Sequence, residues 1–68
     1  MIKKRYNLVG VDGNAHCIMN YCIKAMIECK KQKEEIEAYR KKATSRDYYN
    51  LLYVSAGVID KLNKENGL

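Results

Sequence analysis

Two short stretches of this chain carry residue types from which a ligand site can be built. The first is Gly10-Val11-Asp12-Gly13-Asn14-Ala15. Its two glycines let backbone approach a ligand closely, and a helix starting after Asn14 would offer N–H groups to an anion or a carbonyl oxygen. Asp12 and Asn14 add polar tips able to read a ribose or a base edge. The second stretch holds Arg46, Tyr48 and Tyr49. A guanidinium neutralises phosphate, and a phenol ring offers a stacking face. The candidate ligand-binding set is therefore Gly10, Asp12, Gly13, Asn14, Ala15, Arg46, Tyr48 and Tyr49. It requires that the two stretches meet, within one subunit or across a dimer. Plainer readings stand beside it: a tight turn before a capped helix for the first, and tyrosines at the rim of the core for the second. The first stretch lacks the third glycine of a dinucleotide fingerprint, and the chain has no Gly-Lys-Ser/Thr of a phosphate loop.

Catalytic chemistry is thinly supplied. His16 is the single histidine, and no serine lies near it in sequence. Asp12 stands four residues before it, but an Asp–His pair alone does not make a catalytic site. The three cysteines, Cys17, Cys22 and Cys29, do not form a C-x-x-C pair, and one histidine cannot complete a zinc site of usual spacing. They read as reduced thiols acting as small hydrophobes. No catalytic group, metal or cofactor is implied.

The elements that must position these residues follow from periodicity. Ile2–Val9 alternates, with Ile2, Tyr6 and Leu8 on one face, and predicts a half-buried strand. Asn14 is a suitable N-cap for an apolar helix from Ala15 to about Lys31. Gln32–Ala43 predicts a polar helix anchored by Ile36, Tyr39 and Ala43, with a bend or break near Lys30–Lys33. Thr44 and Asp47 have capping-box spacing before a third helix, from about Arg46 to Lys64, which Asn66-Gly67 ends. The predicted fold is α+β, a small β-α-α-α domain spanning 1–68. A lone strand leaves its backbone groups unpaired, so the same strand of a second copy is the expected partner, making the chain a homo-oligomer.

Composition agrees with a small globular domain. The chain has 68 residues, 47% of them hydrophobic and 31% charged. Cores of this size are marginal, which also favours an oligomer. No apolar run approaches the roughly 20 residues that cross a bilayer, so no membrane partner is expected. No signal-peptide pattern follows the basic start, and a cytoplasmic location is expected. The net charge of +5 favours polyanionic partners without choosing among them.

The combination of Gly10-x-Asp-Gly-Asn-Ala15 opening an apolar helix with Ser45-x-Asp-Tyr-x-x-Leu-Leu52 opening the last one resembles a family of small phage and prophage proteins. Arg46 and His16 depart from that pattern, which has glycine and an aromatic residue there. The resemblance implies an accessory phage protein acting in the host cytoplasm by binding. Three classes of target compete: a nucleotide-derived immune signal that the protein sequesters, a host or phage enzyme that it inhibits or adapts, and nucleic acid. The last is weakened because basic residues interleave with acidic ones and no reading helix is evident. The loop and the tyrosines favour the first.

Overall fold

The structure, a computed structural model, describes residues 5–67. Three helices follow one another: α1 (Ala15–Glu28), α2 (Lys33–Ala43) and α3 (Tyr48–Glu65). The short connections make them run up, down and up, so α1 and α3 point the same way. α3 packs on both partners, whereas α1 and α2 touch far less. The result is a slab of 37 × 27 × 16 Å.

The expected strand is not there. Among the described residues no strand forms, and the domain is all-α rather than α+β. The alternation is nevertheless genuine: Tyr6 is buried and Leu8 half-buried, while Arg5, Asn7 and Val9 are exposed. What it encodes is an extended arm lying on the helices. The Tyr6 backbone N–H donates to Asn63 Oδ1 at 2.8 Å. Asn63 Nδ2 donates back to the Tyr6 carbonyl at 2.9 Å. A side-chain amide carries the same donor and acceptor as a peptide group, so one asparagine on α3 stands in for a neighbouring strand. Asn7 N–H donates to the Tyr21 hydroxyl at 2.8 Å. The pairing of strands between two copies thereby loses its basis. Ile2, Lys3 and Lys4, which belonged to the expected strand, lie outside the described residues.

Local chemistry sets each helix boundary. Asn14 caps α1 as expected, its side-chain oxygen accepting the His16 N–H at 2.9 Å. α1 ends at Glu28, earlier than periodicity suggested, in a Schellman motif. Lys30 N–H reaches the Ile27 carbonyl and Lys31 N–H the Met26 carbonyl, both at 2.9 Å. Lys30 takes the left-handed position there, with φ 60°. Gln32 begins α2, and Glu35 accepts its backbone N–H at 3.4 Å. The capping role given to Thr44 is corrected: its hydroxyl closes the C-terminus of α2 on the Arg40 carbonyl at 2.8 Å. Asp47 caps α3 instead, accepting the Asn50 N–H at 3.0 Å.

The core joins all three helices through one polar contact among apolar ones. Tyr39 of α2 and Ser55 of α3 share a buried hydroxyl–hydroxyl bond of 2.7 Å. Cys22 of α1 lies against the Ser55 carbonyl. Burial pushes the Cys22 thiol and the Tyr39 phenol above their ordinary pKa values, so both stay neutral. The cysteines fall into three environments. Cys22 is buried, Cys29 is half-buried near Tyr6, and Cys17 is exposed, so the reading of all three as small hydrophobes is corrected at Cys17.

Candidate functional site

The two stretches singled out from sequence meet at one pole of the bundle. The Tyr48 hydroxyl donates to the Gly13 carbonyl, across 35 positions of sequence. Because α1 and α3 run parallel, this contact places their N-termini side by side. The positive ends of two helix dipoles therefore point the same way.

The loop that reaches this pole is built by three nested turns. Gly10, with φ 91°, closes a turn in which Val11 N–H donates to the Leu8 carbonyl at 3.1 Å. Asp12 accepts the Asn14 N–H at 2.8 Å, and Asn14 in turn accepts from His16. One oxygen of Asp12 and the oxygen of Asn14 thus hold the loop's own backbone. Both residues are exposed, as are Gly10 and Gly13, while Ala15 is half-buried as the first residue of α1. Of the two glycines, only Gly10 needs a left-handed conformation. A Cβ on Gly13 would stand 3.4 Å from the Tyr48 hydroxyl. That is ordinary van der Waals contact, so a Cβ at Gly13 would touch Tyr48 without forcing it to move.

On the α3 side, Tyr48 and Tyr49 meet edge to face, with ring centroids 6.3 Å apart. Tyr48 is 41% and Tyr49 78% exposed. The Tyr48 hydroxyl is committed to Gly13, so its ring offers a face and not a polar tip. Arg46 is exposed, and among the described residues no hydrogen bond or ion pair reaches its guanidinium.

α2 brings its C-terminus to the same pole, with Arg40, Lys41 and Lys42 in the last turn. The carbonyls there would oppose an anion, but they are occupied. Asn50 Nδ2 donates to the Lys42 carbonyl at 2.9 Å, and the Ser45 hydroxyl donates to the same carbonyl at 2.7 Å. The pole thus brings together two helix N-termini, the C-terminus of α2, the exposed carboxylates of Asp12 and Asp47, and the exposed cations Arg40, Lys41, Lys42 and Arg46. Cations outnumber carboxylates among these residues, and Tyr49 offers an exposed ring face.

His16 is exposed, and among the described residues no hydrogen bond joins its ring to Asp12. No group of three or more His, Cys, Asp or Glu side chains among the described residues is arranged to hold a metal ion. No helix among them is long and apolar enough to cross a membrane.

Sequence reasoning missed two features. Asn63, which pairs with Tyr6, follows Ile59 by one helical turn and so faces the arm; that spacing was the available signal. A furrow also opens between α2 and α3, and it had no signal of its own, because no single segment encodes it. Comparisons with protein-family models, with curated proteins and with solved structures found no match for this chain.

Proposed function

We propose that this protein acts by binding and that it captures a nucleotide-derived small molecule at the pole where α1 and α3 begin. The observation that carries the reading is the hydrogen bond from Tyr48 to Gly13, which joins the two candidate stretches. Phosphate would sit against the backbone N–H groups near Ala15, with the Arg46 guanidinium neutralising it. Tyr49, the more exposed of the two rings, would stack on the base, with Tyr48 holding the loop in place. In the phage setting implied by the sequence resemblance, such capture would withdraw a host immune signal.

Calorimetry against cyclic nucleotides and ADP-ribose-type nucleotides tests this reading. At least one of these ligands is expected to bind more tightly than millimolar. Arg46→Ala should weaken it by about 1.5–3 kcal/mol, the scale of a hydrogen bond to a charged group. If every ligand in the panel binds no better than millimolar, the reading fails and an enzyme target takes its place. If Arg46→Ala binds as well as the wild type, capture stands but the assignment of Arg46 is refuted.

A further inference from the structure

From Lys42 near this pole to Lys31 and Lys61, α2 and α3 leave a furrow between them of about 700 Å³. Its floor is apolar, formed by Met26, Val54, Val58 and Leu62. On α3 the lining residues Tyr53, Val54, Gly57, Val58 and Lys61 fall on one helical face, and on α2 Glu35, Ala38 and Lys42 do the same. These are two helix stripes facing a common space with no described residue between them. Gly57 stands near the middle of α3, where glycine costs about 1 kcal/mol relative to alanine. A Cβ built there meets no atom within 4 Å, so the chain's own packing does not demand the glycine. Tyr53 stands at the edge of the furrow and is 80% exposed.

Charge decides which occupant fits. Lys31, Lys42 and Lys61 line the furrow against one acid, Glu35. Lys31 is paired with Glu65, whereas Lys42 and Lys61 form no salt bridge among the described residues, although Lys61 also helps lower the Glu65 pKa through its charge. A second copy seated face to face would set these lysines against their own kind, which association disfavours. We infer that the furrow between α2 and α3 is a docking groove for an amphipathic helix of a partner protein that carries acidic residues along its flanks. Such a helix would lay its apolar face on Val54 and Val58, cross close above Gly57, and turn the slab into a four-helix arrangement.

The test uses the isotope-labelled full chain and two synthetic helices of about 18 residues, or five turns. Both carry the same leucine face; one is flanked by glutamates and the other by lysines. Titration followed by NMR should show the acidic peptide binding about tenfold or more tightly than the basic one. The shifts should centre on Val54, Gly57 and Val58. Gly57→Leu fills the open space with a better helix former, so it should melt no lower than the wild type yet bind the acidic peptide about tenfold more weakly. Lys42→Glu with Lys61→Glu should reverse the preference between the peptides. Equal binding of the two peptides overturns the inference, as does unchanged affinity in Gly57→Leu or shifts confined to another face. Self-association of the wild type that Gly57→Leu abolishes overturns it too, because the occupant is then a second copy.

Discussion

Lys30 shows how much a single backbone position can cost. Its φ of 60° closes α1, and an L-residue with a Cβ resists that region. Glycine is the usual solution at this place in a Schellman motif. Lys30→Gly should therefore stabilise the protein by about 0.5–1 kcal/mol, the relief of strain being partly offset by a more flexible unfolded chain. Thermal or denaturant unfolding reads the change. A loss of stability would mean that the lysine side chain makes a contact more valuable than the strain it carries. The same reasoning separates the glycines of the loop. Gly10 is favoured by its φ of 91°, whereas at Gly13 a Cβ would make only ordinary contact with the Tyr48 hydroxyl.

At the scale of elements, the N-terminal arm is held chiefly by one side chain. Asn63 makes both hydrogen bonds to the Tyr6 backbone, and the Tyr6 hydroxyl donates to Glu28 at 2.9 Å. Asn63→Ala leaves a part-buried N–H and carbonyl without that partner and should cost about 1–3 kcal/mol. Amide exchange at Tyr6 should accelerate well beyond that at Leu51 or Leu62 in the helical core. If the two regions speed up together, the arm is integral to the global unfolding unit. The alternation in the arm's sequence revealed which side chains turn inward, but period 2 is silent on what satisfies the backbone. A strand of a sheet and an arm on helices write the same pattern. The helices themselves were legible because Asn14 and Asn66-Gly67 mark ends by local chemistry. Thr44 and Asp47 misled because the C-cap of one helix and the N-cap of the next lie three residues apart, with side chains of similar capacity. The candidate site was legible as two stretches. Their meeting depends on α1 and α3 running parallel, which no local spacing states. The furrow was invisible for a related reason: it is defined by what fails to cover Gly57.

For the molecule as a whole, one ion pair ties the turn after α1 to the end of α3. Hydrogen bonding to Lys31 holds the Glu65 carboxyl below its ordinary pKa, and the same bond to Glu65 raises that of Lys31. A depressed carboxyl pKa stabilises the fold above the ordinary glutamate range and loses that effect as pH falls through the folded value. A raised lysine pKa stabilises below the ordinary lysine range and loses its effect as pH rises through the folded value. The pair should therefore give a plateau of stability between the ordinary glutamate and lysine values of 4.5 and 10.5, with losses on both sides. The difference in melting temperature between the wild type and Lys31→Gln, followed against pH, should trace that plateau. It should be small and should shrink further in about 1 M salt, because Glu65 is exposed and Lys31 is only half-buried. A difference that does not vary with pH would assign the role of Lys31 to packing alone.

The link between Tyr6 and Asn63 also governs how the molecule answers to being pulled. It brings residues near the two ends of the described chain together, at the end of the slab remote from Gly13 and Tyr48. A tether attached to either end would thus leave the loop side facing outward. A load applied between the two ends falls first on the asparagine and its pair of bonds. The arm would then peel away before any helix is stretched, and the first bonds to break under load would lie at the end opposite Gly13 and Tyr48.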